Sequence, residues 1–400
     1  MIADLWTYLI GPDFWWVILV KAVIVIGFLI TAGAYLTLAE RKVAARIQLR
    51  IGPNRVGPFG LLQPAADAVK LLFKENTAPS ARDKLLYLIA PGLAGAAAMF
   101  AFAAIPISAV NCVGGPSIGQ AGLVCPSGYA LHWDVAHLNV GLLFVLAITS
   151  LGVYSIFLGG WSANNKYSLL GGLRSSAQLI SYEMAVAFAL IGPVILAGSL
   201  DLEQIVSNQQ HLWYVFLQPL AFLLYFAGAL AETNRAPFDL PEAETELVGG
   251  YHTEYGSMRF AFYFLGEYIN MVIVASIATT LFLGGWLSPL PTSWVIVGWI
   301  PGVIWYLAKV VVLLFVMMWV RWTLPRLRID QVMETCLKYL LPLSCVLLLG
   351  AALWQVAMPN IVLMYLKFAV ALVCLGLVGM ALYRIVTTPS QLPFPGVRGE

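Results

Sequence analysis

Long unbroken apolar runs, rather than strict alternation, dominate this chain. A helix needs roughly 20 apolar residues to cross ~30 Å of hydrocarbon. Nine segments meet that length: Trp15–Leu38, Leu85–Val110, Leu138–Gly160, Leu179–Ala197, Leu212–Ala231, Phe260–Gly284, Trp299–Val320, Tyr339–Ala357 and Ile361–Tyr383. The polar stretches between them are too short for a separate core. The pattern predicts one all-α polytopic membrane domain over residues 1–400, with about nine transmembrane helices. The first run is too long for the apolar core of a cleaved signal and no basic region precedes it, so it is expected to stay as a helix. Within the first long connection the period changes. Leu62, Ala65, Ala66, Val69, Leu72 and Phe73 share one helical face, and Gln63, Asp67, Lys70 and Lys74 share the other. That spacing predicts an amphipathic surface helix lying in the membrane interface. "GPNRVGPFG" just before it holds two Gly-Pro turns around Arg55, which predicts a rigid loop.

Composition agrees with a membrane solvent: 60% of residues are hydrophobic, 10% are charged, and the mean hydropathy is +0.85. Charge placement adds a direction. Of 22 Lys and Arg, 19 lie on one set of loops or in the tail, three (Lys21, Lys309, Lys367) lie within spans, and the opposite loops hold none. By the positive-inside rule the N-terminus is expected to be periplasmic and the C-terminus cytoplasmic. The net charge of +2 adds nothing further, and no nucleic-acid partner is expected.

Candidate chemistry concentrates in acids. Seven of the twenty fall between Glu232 and Glu267, a stretch that includes Asp239, Glu242, Glu244 and Glu246. Glu183 and Glu267 lie deeper, several residues into their spans. A lipid-facing carboxylate there is costly, so each should face the bundle interior, a partner or water. Helix capping explains Asp239 and Glu242, and a packing hydrogen bond explains any one buried acid. A set on one leaflet side points instead to a proton path. Lys309 is a weaker relay candidate. Arg321, Arg326, Arg328 and Asp330 group in the last basic loop, where either membrane anchoring or contact with an acidic partner accounts for them. The five cysteines form no metal or cluster set. Cys112 and Cys125 share one outer loop, so a disulfide between them is open, and Cys336, Cys345 and Cys374 read as small buried thiols. His132, His137 and His211 read as solvated loop residues. "SLDLEQIVSNQQH" reads as a small capped surface helix, and the Gly192 and Pro193 pair as a break in its span.

Three stretches carry a resemblance. "ERK…LRIGPNRVGPFGLLQPAADAVKLLFKE", "AETNRAPFDLPEAETELVGGYHTEYGSMRFAFYFLGEY" and "LPRLRIDQVMETCLKYLLPL" resemble the quinone-chamber membrane subunit of respiratory complex I, the NADH-quinone oxidoreductase. The family comprises the bacterial H subunits and the mitochondrial subunit 1. The likeness covers about residues 15–359, leaving the ninth helix and tail (360–400) beyond an eight-helix core. It implies one component of a proton-translocating enzyme in the bacterial inner membrane, with ubiquinone or menaquinone as substrate. No flavin, metal or iron–sulfur cluster would be bound by this chain. Iron–sulfur and quinone-site subunits of the peripheral arm and other membrane-arm subunits would be its partners, in a lipid bilayer. Position by position, it implies that Arg41, Arg50, Arg55, Asp67, Arg321, Arg326, Arg328 and Asp330 line or brace the quinone chamber. Glu183, Glu232, Asp239, Glu242, Glu244, Glu246 and Glu267 would form an acidic funnel into the membrane. Two departures are visible: Leu337 stands where Trp is usual, and "YGSM" inverts a more usual Ser-Gly order. The alternatives are the membrane anchor of a related hydrogenase complex and a stand-alone secondary transporter.

Overall fold

The computed structural model describes residues 15–109, 111–113, 129–240, 248–289 and 300–357. Within these the protein is helical apart from one antiparallel pair of three-residue strands, β1 (Asn111–Val113) and β2 (Tyr129–Leu131). The helices are α1 (Trp15–Ile47), α2 (Gln63–Phe73), α3 (Lys84–Ala101), α4 (Gly141–Ser162), α5 (Lys166–Ala197), α6 (Leu202–Ser207), α7 (Tyr214–Leu217), α8 (Pro219–Glu232), α9 (Ser257–Phe282), α10 (Gly302–Thr323), α11 (Ile329–Glu334) and α12 (Leu341–Ala357). A π-helical stretch, Thr335–Leu340, joins the last two into one rod. By length and composition seven helices can cross a membrane, and α8 is a shorter apolar helix. The chain is an all-α polytopic membrane protein. The predicted ninth span, the Cys112 side chain, Cys125 and Cys374 lie outside the described residues. Of the other cysteines, Cys336 is buried and Cys345 half-buried, both as free thiols.

α9 is the axis of the bundle. It packs against α1, α2, α3, α8 and α10. In its most apolar stretch 61% of residues are buried, against 11% for α1. α5 lies against α4, α8 and α12. Where α4 meets α5, a Cβ on Gly160 would stand 2.6 Å from the Ser168 carbonyl, so only glycine admits that approach. Helix ends share faces: Asp83 N–H donates to Ser162 O, and at the opposite end Leu142 N–H donates to Leu200 O. The first of these ends carries the basic loops.

Helix boundaries depart from the apolar runs for physical reasons. α1 continues through residues 40–46 and α5 begins at Lys166, because Lys, Arg and Glu favour helix and their long stems reach the interface. The expected break at Gly192 and Pro193 does not occur. α5 runs through Pro193, which lies in its last turns. The break falls in the neighbouring span, where α7 ends and Pro219 starts α8. Gln218 at that kink sits against Gly192, where a Cβ would be 2.7 Å from its Oε1. α6 is capped by Asp201, whose side chain accepts from Glu203 N–H at 3.0 Å. It is not a surface helix, since Leu202, Glu203, Ile205 and Val206 are all buried.

α2 follows the predicted periodicity, and its apolar residues Leu62, Val69, Leu72 and Phe73 remain exposed, as a helix in a lipid interface requires. The loop before it is rigid for the reason expected. Gly57 and Gly60 hold φ of 72° and 75°, and Lys42 Nζ donates to Phe59 O at 2.5 Å. A Cβ on Gly60 would collide with the Pro53 carbonyl. At the inverted Gly-Ser pair the turn survives. Ser257 takes the left-handed φ of 57° that glycine prefers, and its Oγ donates to Leu71 O at 2.8 Å, tying α9 to α2.

Candidate functional site

The acid-bearing segments converge near the basic-loop end. Gln178 of α5 sets the loop that follows α8: its Nε2 donates to Ala231 O at 2.9 Å and Phe238 O at 2.8 Å. Residues 233–235 and 237–240 are buried as a result of this docking. That loop delivers Arg235 between α1 and α9. Its guanidinium lies 3.5 Å from Glu40 Oε2 and 3.8 Å from Glu267 Oε2, and stacks over the Tyr268 ring at 4.5 Å. Tyr268 OH donates to Glu40 Oε2 at 2.7 Å, and Arg321 donates to Glu40 Oε1. Glu267 Oε1 accepts from Tyr251 OH at 2.9 Å. The order Glu267, Arg235, Glu40, Arg321 is thus a continuous charged chain joining α9, the α8–α9 connection, α1 and α10.

Behind Glu267 lies a cavity of about 80 Å³, large enough for several waters and too small for a bulky ring. Glu183, Glu232 and Glu267 line it, with Ser150, Asn234 and Tyr263, and among the described residues no Lys or Arg lines it. Ser150 Oγ donates to Glu183 Oε1. Three of the expected funnel acids therefore share one cavity with a largely apolar lining, one of them continuous with the charged chain. Burying charges costs several kcal/mol per ion before pairing returns anything. Packing alone would be served as well by apolar side chains, so this arrangement is a strong functional candidate. Beside Tyr251, the His252 ring packs edge-on to Phe260 at 5.3 Å, and burial pushes its pKa down to about 4.

The remaining predicted residues divide. Arg41 Nη1 donates to Asp67 Oδ2 at 2.8 Å, a bridge from α1 to α2 at the surface. Arg50 Nε donates to Gln48 Oε1 at 2.7 Å, and Arg55 is exposed. Arg326 Nη2 donates to Asp239 Oδ2 at 2.7 Å, holding the last basic loop to the buried α8–α9 connection. The expected grouping of Arg321, Arg326, Arg328 and Asp330 is corrected. Each of the first two reaches a different buried acid, because Arg321 projects from the last turn of α10 whereas Arg326 lies in the non-helical segment between α10 and α11. Only Arg328 and Asp330 meet, at 3.5 Å and exposed. Among the described residues Lys309 meets backbone carbonyls and none of these acids. Its Nζ donates to Leu283 O, Gly285 O and Leu287 O at 2.6–2.9 Å, closing the far end of α9. Glu242, Glu244 and Glu246 lie outside the described residues.

Two residues escaped sequence reasoning. Glu40 is the hub of the chain, yet in "ERK" it reads as part of a basic anchor; its signal was an acid at the last apolar turn of α1. Arg235 read only as one more positive loop charge. The histidine reading is also corrected. His211 is exposed, but His132 is buried and His137 largely so. A hydrogen bond to Asp134 pushes His137 up to about 9, and burial pushes the Asp201 and Glu203 carboxyls up.

A family model described as NADH dehydrogenase matches residues 20–352. One of the NADH-quinone oxidoreductase H subunits of Geobacter sulfurreducens is 50% identical over 332 residues, 82% of this chain and 91% of that protein. The NADH-quinone oxidoreductase H subunit of Protochlamydia amoebophila is 48% identical over 314 residues, 78% of this chain and 90% of that one. Over most of its length the chain therefore belongs to the NADH dehydrogenase family, together with the H subunits of NADH-quinone oxidoreductases.

Proposed function

We propose that this chain is a membrane subunit of a proton-translocating NADH:quinone oxidoreductase, where it borders the quinone path and couples quinone reduction to proton transfer. The observation that carries this reading is the cavity shared by Glu183, Glu232 and Glu267, continuous through Arg235 with Glu40 and Arg321 near the basic-loop end. Carboxyl groups that exchange protons with one set of waters are the parts a relay requires. A movable guanidinium–carboxylate chain can transmit a charge change from outside it. In this reading Arg41, Asp67, Arg50 and Arg55 brace the chamber mouth around α2. Arg326 and Asp239 fix its floor, and Glu242, Glu244 and Glu246 continue the acidic path. Arg328 and Asp330, being exposed, face a partner subunit.

Ubiquinone or menaquinone is substrate, and the electrons arrive from clusters bound by partner subunits, so this chain does no redox chemistry by itself. The basic loops face the cytoplasm of a bacterial cell and the N-terminus the periplasm. Glu232→Gln and Glu267→Gln each keep size and hydrogen bonding while removing the titratable proton. In the purified complex reconstituted into vesicles, each is expected to lower proton pumping linked to NADH oxidation by about tenfold or more, about 1.4 kcal/mol of barrier, with assembly retained. Full pumping in both variants would remove the relay. Copurification with a hydrogenase and no quinone reductase activity would assign the chain to an anchor instead.

A further inference from the structure

A second buried polar cluster lies at the other end of the bundle, where α4 begins and α5 ends. His132, Asp134 and His137 come from the segment between β2 and α4, and Glu203 comes from α6, 71 residues from His132. One ligand-capable atom from each lies within 4.8 Å of all the others. His132 Nδ1 is 3.2 and 3.1 Å from the two Glu203 oxygens. His137 Nδ1 is 3.2 Å from Asp134 Oδ2 and 3.7 Å from Glu203 Oε2. The two imidazoles stack at 4.2 Å, and both Nδ1 atoms face the carboxylates.

We propose that His132, Asp134, His137 and Glu203 bind a divalent transition ion of the zinc class, stapling the segment before α4 to α6. Ligands about 2.0–2.1 Å from a tetrahedral ion stand roughly 3.3–3.5 Å from one another. The His132–Glu203, His137–Asp134 and His137–Glu203 separations of 3.1, 3.2 and 3.7 Å bracket that value, and the remaining pairs lie within 4.8 Å. Two imidazoles with two carboxylates and no thiolate suit zinc, cobalt or nickel better than calcium or magnesium, which prefer all-oxygen shells. Two carboxylates also neutralise a dication in a place where His132, Asp134 and Glu203 are each at most 6% exposed. The donors are held before any ion arrives. Asp201 caps α6 by accepting from Glu203 N–H. Val135 and Ala136 N–H both donate to Ala103 O, fixing the segment that carries Asp134 and His137. The competing arrangement is an ion-free hydrogen-bonded cluster with a proton in each imidazole–carboxylate contact. The expectation from sequence that this chain holds no metal is revised by the proposal, since that expectation rested on cysteine spacing and on solvated histidines.

The test uses the tagged chain in the membrane assembly with which it copurifies, stripped with a mild chelator and then equilibrated with zinc alone. Metal analysis is expected to find one zinc fewer per assembly in His132→Ala and Glu203→Gln than in wild type, and no change in His211→Ala. Equal zinc in wild type and in both ligand variants overturns the site. Should His132→Ala prevent assembly, the isosteric Glu203→Gln and the wild-type assembly decide the matter through cobalt. Cobalt-loaded wild type should show the intense visible bands of a tetrahedral N/O site, lost in Glu203→Gln. A wild-type assembly without such bands, or with bands unchanged in Glu203→Gln, also overturns it.

Discussion

The two buried polar clusters of this protein sit at opposite ends of the bundle and were not equally visible. Glu183 and Glu267 stand out because they interrupt apolar spans, where an ionisable side chain must have a reason. His132, Asp134 and His137 sit in a connection, where water is the default neighbour of any polar residue. The structure removes that difference, because Glu203 and His132 are as buried as Glu40 and Arg235. Depth along a span is legible from a single chain, whereas burial of a loop depends on what folds over it.

The comparison can be broken most directly at its hub. Glu40→Ala leaves Arg235 and Arg321 without their shared carboxylate. Arg235 keeps Glu267, but removing one partner of a buried charge pair costs about 3–5 kcal/mol, so the yield and thermal stability of the assembled protein should fall sharply. Stability equal to wild type would mean that water reaches this cluster freely. His252 sharpens the contrast by pH. Its folded pKa of about 4 lies below the ordinary 6.5, so the unfolded state binds the proton more tightly. The stability from neutral His252 is complete above about pH 6.5 and is lost as pH falls toward 4, amounting to about 2 kcal/mol between pH 7 and 5. The thermal midpoint of wild type should therefore fall further over that range than that of His252→Phe, and parallel curves would contradict the burial.

Smaller effects probe the basic-loop end. Ser257→Ala keeps the left-handed strain and loses the bond to Leu71, and should cost about 1 kcal/mol. Ser257→Gly loses the same bond but relieves the strain and should stay near neutral, so equal losses would deny the strain. Last, Arg328→Ala breaks only an exposed pair and should change stability by less than about 1 kcal/mol. Arg326→Ala strips Asp239 of its guanidinium and should cost more. If the two arginines prove equivalent in thermal unfolding, the distinction between buried and exposed partners fails.

Seven of the nine expected spans, the interfacial helix α2, the rigid Gly-Pro loop and the depth of Glu183 and Glu267 followed from the chain alone. Each is set by local physics: hydrocarbon thickness, helical periodicity, glycine's access to positive φ, and the cost of charge in lipid. Family membership was legible too, through motifs spread over most of the chain. What only the tertiary structure decided is which charges meet. Glu40 and Arg321 are 281 residues apart and His132 and Glu203 are 71 apart. No spacing rule reaches across such separations, because they are closed by helices packing around α9 and by a loop folding over α6. The break moved from Pro193 to Gln218 and Pro219 for the same reason. A proline in a helix's last turns is tolerated where a neighbour packs against it, and that neighbour is supplied by the fold.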